Sequence, residues 1–158
     1  MTIAVYPGSF DPITNGHIEI IDRSINIFDK VIIAILDNKS KEALFDRSYR
    51  KELIEESIKQ FGQVDVDIFS GLLVDYMDQK NASVIIRGLR VVSDFEFEFN
   101  MSQMNRKLNN RINTIFMVPD SNNTFISSSI VREVASLKGD VSNFVSPAVN
   151  KALIKKYE

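Results

Sequence analysis

Four short stretches of this chain collect residue types that handle phosphate. The first is Tyr6-Pro7-Gly8-Ser9-Phe10-Asp11-Pro12-Ile13-Thr14-Asn15-Gly16-His17. Its prolines and glycines make a stiff turn, and Gly8 lets the backbone approach a ligand closely. Thr14 is placed to cap a helix starting near Gly16. His17, the sole histidine, then falls in the first helical turn, where free N–H groups and the dipole favour an anion. The second stretch, Ile86-Arg87-Gly88-Leu89-Arg90, sets two guanidinium forks about a glycine. The third is Asn38-Lys39-Ser40-Lys41, and the fourth is Asn123-Thr124-Phe125-Ile126-Ser127-Ser128-Ser129 at the start of a helical pattern. Serine hydroxyls and free N–H groups at a helix start form an anion site. Each stretch alone has a plainer reading: a capping histidine, a solvated strand exit, a surface lysine loop and a serine cap. The glycine loop lacks both the Walker A lysine and the G-x-G-x-x-G spacing.

The rest of the composition restricts the chemistry. The chain has 158 residues, 44% of them hydrophobic, which fits one domain, residues 1–158, with a substantial core. There is no cysteine, so thiolate nucleophiles, thiolate metal sites and disulfides are excluded, and a single histidine cannot build a multi-histidine metal site. A net charge of −2 disfavours nucleic acid as the main partner. No apolar run approaches the ~20 residues of a membrane span, and the start lacks a signal-peptide pattern. The expected location is therefore cytoplasmic, with no membrane partner.

The four stretches follow strand-like segments. Ile3–Tyr6, Val31–Leu36, Val64–Phe69, Val84–Ile86 and Thr114–Val118 are short and rich in β-branched or apolar residues. Val31–Leu36 is continuously apolar, as in a strand covered on both faces. Between them, Ile18, Ile21, Ile25 and Phe28, and then Leu53, Ile54, Ile58 and Phe61, recur at helical spacing. Further helices are predicted at Leu73–Gln79, Phe95–Leu108, Ile130–Leu137 and Pro147–Lys155, the last capped by Ser146. Alternating strands and helices predict a single-domain α/β, doubly wound parallel sheet. Ligands of such sheets bind at the carboxyl ends of the strands, where all four stretches lie.

The order P-G-S-F-D-P-x-T-x-G-H, I-R-G-L-R, S-D-F-E-x-E and I-S-S-S resembles, over essentially the whole chain, the bacterial phosphopantetheine adenylyltransferases of the nucleotidylyltransferase superfamily. The resemblance implies a Rossmann-like nucleotidyltransferase fold. It also implies adenylyl transfer from ATP to 4′-phosphopantetheine, giving dephospho-coenzyme A and pyrophosphate. It assigns catalytic roles to His17, Lys41 and Arg90. It places ATP against Ser9, Phe10, His17, Gly88, Leu89, Arg90, Glu98, Asn123, Thr124, Phe125, Ile126, Ser127, Ser128 and Ser129. It places phosphopantetheine against Ser9, Lys41, Leu73, Val74 and Arg87, although Leu73 and Val74 also suit a core helix. Mg²⁺ would arrive on ATP, and the assembly would be a homohexamer. The sequence departs from the family pattern at Phe97, usually tyrosine, in Asp46-Arg47-Ser48-Tyr49-Arg50, usually more acidic, and at Asn123, often aromatic.

An ionised acceptor phosphate is already a nucleophile, so no general base is needed. The task is to bring two polyanions together and stabilise charge on the transferring group. His17, Lys41, Arg87 and Arg90 are expected to supply that charge, with donors from Ser9 and the Phe10 backbone. The competing readings are a sister enzyme with nicotinate mononucleotide or glycerol phosphate as acceptor, a nucleotide sensor without turnover, and, more remotely, a synthetase-like RNA binder.

Overall fold

The computed structural model describes residues 1–36 and 42–158. Its five strands are β1 (Ile3–Gly8), β2 (Lys30–Leu36), β3 (Val64–Phe69), β4 (Val84–Gly88) and β5 (Asn113–Met117). They form one sheet in the order β3-β2-β1-β4-β5, with every neighbouring pair parallel. The helices are α1 (Asn15–Ser24), α2 (Arg47–Ser57), α3 (Leu73–Gln79), α4 (Val92–Leu108), α5 (Ser128–Ser136) and α6 (Pro147–Tyr157). The predicted α/β, doubly wound parallel sheet is the fold observed.

Strand alternation divides the core. Ala4, Tyr6, Val31, Ile33, Ile35 and Ile86 pack with Ile20, Ile54, Val131, Val149 and Leu153 from α1, α2, α5 and α6. Val5, Ile32, Ala34 and Ile85 face the other way, onto Phe69, Val74, Met77 and Ile112. Register places Val5 beside both Ile32 and Ile85, so the second face is also apolar across the central strands. Burial on both faces is why β2 reads as an unbroken apolar run rather than an alternating one.

Sequence order reverses between β1 and β4. Chain leaving β1 turns toward α1, and chain leaving β4 turns toward α4, so a crevice opens between their carboxyl ends.

Helix ends follow local chemistry. Asp46 caps α2 by accepting the Tyr49 N–H at 2.9 Å. Ser146 caps α6, with Pro147 in its first turn, as expected. The helix expected from Phe95 instead begins at Val92. Its boundary is ambiguous in sequence because α4 has no clear apolar stripe: Val92, Phe95, Phe97, Phe99, Met101, Met104 and Leu108 are all exposed, beside Ile115 and Val118. Among the described residues no helix is long and apolar enough to cross a membrane.

Candidate functional site

A cleft of about 490 Å³ occupies the crevice between the ends of β1 and β4. Ser9, Phe10, His17, Arg87, Gly88, Arg90, Glu98, Asn123, Ile126, Ser127, Ser128 and Ser129 line it together with Tyr6 and Asp94. Most of the residues expected to meet ATP are thus gathered in one place.

The end of β1 and the loop after it are held through carbonyl oxygens. Pro7 O accepts from Arg87 Nη1 at 2.8 Å, and Ser9 O accepts from Arg50 Nη1 at 2.6 Å. Asp11 O accepts from Arg132 Nη1 at 2.5 Å, and Pro12 O accepts from Ser128 Oγ at 2.8 Å. The donors come from β4, α2 and α5. The Asp11 carboxylate is buried and accepts the Leu44 and Phe45 N–H groups at 2.7 and 3.0 Å. It therefore fastens the chain just after residue 41 to the first loop. Buried polar groups need such partners, and these also fix the loop's shape. Gly8 matters through contact: a Cβ there would lie 3.0 Å from the Phe10 ring.

His17 occupies the third position of α1, after the expected Thr14 cap. Its Nδ1 accepts the Thr14 N–H at 3.0 Å and also lies 3.0 Å from Thr14 Oγ1. The neutral ring must then carry its proton on Nε2. The ring packs edge-on against Phe10, with centroids 5.1 Å apart. Burial, then the charges of Arg90 and Arg87, lower the His17 pKa to about 4. This corrects the expectation that His17 contributes positive charge. In the free protein at neutral pH it is an uncharged Nε2–H donor, since a cation beside two guanidiniums in a partly buried site is unfavourable.

The β4 end is organised by ion pairs. Both Glu98 oxygens accept from Arg87: Oε2 from Nε at 2.7 Å and Oε1 from Nη2. Arg87 thereby spans from α4 to the first loop, and Glu98 acts here as its clamp. Arg90 Nε approaches Asp94 Oδ2 at 3.5 Å. The Leu89 N–H donates to Met117 O at 2.9 Å, tying this turn to β5, while the cleft lining takes in Gly88 and Arg90 but not Leu89.

On the third side, Ser127 caps α5 by accepting the Ile130 N–H at 3.1 Å. Asn123 donates through Nδ2 to Glu19 Oε2 at 2.6 Å, and Glu19 Oε1 accepts the Asp120 N–H at 2.7 Å. Thr124 donates to Ser121 O, and Phe125 packs edge-on against Phe144; neither lines the cleft. Leu73 and Val74 are likewise not part of it: they start α3 and join the second core cluster, because α3 must cover the apolar face at Val5 and Ile32. Lys41 lies outside the described residues.

Sequence reading missed Arg50, Arg132, Asp11 and Glu19. Arg50 carried a signal, since it shares the buried face of α2 with Leu53, Ile54 and Ser57, an unusual place for a cation. Asp11, Arg132 and Glu19 meet partners far along the chain, which spacing does not reveal.

The family described as cytidylyltransferase-like matches residues 5–134. Among solved structures, a Vibrio parahaemolyticus protein assigned as a nicotinate-nucleotide adenylyltransferase superposes with a TM-score of 0.69 at 21% identity, covering 98% of this chain and 99% of that one. The Plasmodium falciparum nicotinic acid mononucleotide adenylyltransferase, complexed with APC, gives 0.70 at 18% identity, over 99% and 95% of the two chains. The same enzyme complexed with NaAD gives 0.68 at 17% identity, with the same coverage. At these identities the likeness is one of fold. The family match spans most of the sequence, and the chain belongs to the cytidylyltransferase-like family, enzymes of the nucleotidyltransferase kind.

Proposed function

We propose that residues 1–158 form one catalytic domain that transfers an adenylyl group from ATP to 4′-phosphopantetheine, releasing pyrophosphate and forming dephospho-coenzyme A. The observation that carries this reading is Arg87. It is clamped by Glu98 and Pro7 O in the cleft, within the I-R-G-L-R and S-D-F-E-x-E pattern, and lines the same cleft as the serines that start α5. An arginine immobilised in this way presents a fixed guanidinium to a phosphate monoester.

In this reading ATP lies against the loop after β1, His17, Arg90 and the start of α5. The acceptor phosphate sits against Arg87 and Lys41 and attacks the α-phosphorus in line with departing pyrophosphate, with no covalent enzyme intermediate. His17 Nε2–H donates to oxygens whose charge grows during transfer, and Arg90 answers the remaining charge. Leu73, partly exposed at the start of α3, and Val74 flank the pantetheine arm.

Mg²⁺ is proposed to arrive on the triphosphate. The cleft carboxylates Asp94 and Glu98 face arginines, and among the described residues no three His, Cys, Asp or Glu side chains cluster as ligands. When bound it would neutralise phosphate charge. A homohexamer is proposed on family resemblance, and the exposed apolar side chains of α4 suit burial between copies. The cytoplasm is the proposed location.

The test is pyrophosphate release from ATP with 4′-phosphopantetheine, nicotinate mononucleotide or glycerol phosphate as acceptor. Release with phosphopantetheine at least tenfold above the others is expected. Preference for nicotinate mononucleotide would move the assignment toward the nicotinate-nucleotide adenylyltransferases among the structural neighbours.

A further inference from the structure

Arg50 is 94% inaccessible by its 6% relative exposure, yet among the described residues no carboxylate pairs with it. Its Nε has no hydrogen-bond partner, and among the described residues the guanidinium makes one hydrogen bond, from Nη1 to the Ser9 carbonyl at 2.6 Å. Burying a guanidinium so poorly compensated is costly for packing alone. A role in fixing the Ser9 peptide explains the arrangement.

Arg50 does not line the cleft, whereas Ser9 and Phe10 do. Its guanidinium thus draws the Ser9 oxygen away from the cleft. The Ser9–Phe10 peptide is trans, so its N–H points opposite to its oxygen, toward the cleft. Among the described residues nothing accepts this N–H. Phe10 itself has φ 47°, the left-handed region that side chains other than glycine avoid. Rotating the peptide by half a turn would carry φ into the extended region and relieve that strain. It would also turn the Ser9 oxygen toward an incoming triphosphate, replacing a donor with a repelling dipole. The Arg50 hydrogen bond opposes this flip, and the Phe10 ring, packed against Tyr6 and His17, resists it from the other side.

We infer that Arg50 is a positioning residue: it holds the Ser9–Phe10 peptide with its N–H aimed at the phosphates of the bound nucleotide. This rests on the proposed nucleotidyl transfer from ATP and adds a residue remote from the ligand that determines the donor's direction.

Ser9-Phe10 is the sole Ser-Phe pair in the chain, so labelling serine carbonyl carbon with ¹³C and phenylalanine nitrogen with ¹⁵N yields one amide signal for this peptide. In the wild-type protein, ATP is expected to move that amide proton downfield, as a new hydrogen bond to phosphate does. In Arg50→Met the shift should be lost and kcat should drop by roughly 10²–10³, the effect of removing one aimed donor, with the KM for acceptor changed far less. Arg50→Lys keeps a charged donor and should restore part of both. An Arg50→Met protein whose Phe10 amide still answers ATP as in the wild type overturns the inference. So does a wild-type amide unmoved by ATP in protein that releases pyrophosphate, a result that needs no folded variant and leaves the proposed reaction standing. Absence of both ATP-induced shifts and pyrophosphate release with every acceptor removes the reaction and the inference together.

Discussion

The two loops that meet in the cleft are held by different means. The end of β1 and the loop after it are largely buried, and four carbonyls there are fastened by hydrogen bonds from three other elements. Its histidine is uncharged at neutral pH. The loop after β4 is half-exposed, and its arginines are held by carboxylates from α4. One loop supplies direction through fixed dipoles and N–H donors; the other supplies charge. The difference bears on catalysis because a fixed neutral donor adds little to ground-state attraction but strengthens as charge develops. Cations attract substrate and transition state alike. Damage to the first loop should therefore act on kcat, and damage to the second more on KM.

The sharpest way to break this contrast is His17→Ala. Turnover should fall by roughly 10²–10³, about 2.7–4 kcal/mol in transition-state stabilisation, while ATP affinity falls much less. His17→Gln keeps an amide donor and should retain part of the rate. Steady-state kinetics on folded protein decide the point: near-normal kcat with only a raised KM for ATP would make His17 another uniform binder.

The same residue gives the contrast a pH signature. The His17 pKa is lowered from 6.5 to about 4 by burial first and by the arginines second. Between those values the unfolded chain binds a proton that the folded chain refuses. Stability from this group is intact above about pH 6.5 and is lost as pH falls toward 4. The loss is of order 2–3 kcal/mol. Urea midpoints across this range should decline more steeply for the wild type than for His17→Gln. Equal slopes would mean that the ring titrates normally and is not enclosed by the loop.

For the β4 loop, Arg87→Ala should raise the KM for phosphopantetheine more than that for ATP. Glu98→Gln is the milder lesion, since the guanidinium remains but loses a charged clamp. A tenfold or smaller rise in acceptor KM is expected, corresponding to at most about 1.4 kcal/mol. If either change acts chiefly on ATP, Arg87 belongs to the nucleotide side and the assignment of the two walls is reversed.

How much of this was readable in sequence depends on distance along the chain. Strand positions were legible because β1, β2 and β4 are buried on both faces and leave continuous apolar runs. Thr14, His17 and the α5 serines were legible because caps and helix starts are local. The start of α4 was not, because its apolar side chains are exposed while Asp94, Glu98, Ser102 and Asn105 are the half-buried ones, the reverse of the usual pattern. Nor was the neutrality of His17, which depends on burial and on arginines some seventy residues away. Arg132, fixing Asp11 O from more than a hundred residues along the chain, leaves no periodic trace.

The smallest expected effect is at Asn123, on the cleft wall between the two loops. An aromatic side chain there would offer a face to the adenine ring, and stacking contributes on the order of 1–3 kcal/mol in single-strand binders. Asn123 is engaged, however: its amide donates to Glu19 at 2.6 Å. Replacing it with tyrosine removes that hydrogen bond, and one to a charged group stabilises by roughly 1.5–3 kcal/mol. Glu19 would keep the Asp120 N–H at 2.7 Å and Arg23 at 3.8 Å, which softens the loss. The opposing terms nearly cancel, so Asn123→Tyr should leave turnover similar and tighten ATP binding by only a few-fold. Adding Glu19→Gln removes the carboxylate that tyrosine leaves short of a partner while its amide oxygen still accepts from Asp120. The double variant should therefore bind ATP more tightly than Asn123→Tyr alone. Calorimetry that finds ATP binding unchanged or weaker in both variants would show that the side chain at 123 does not face the base.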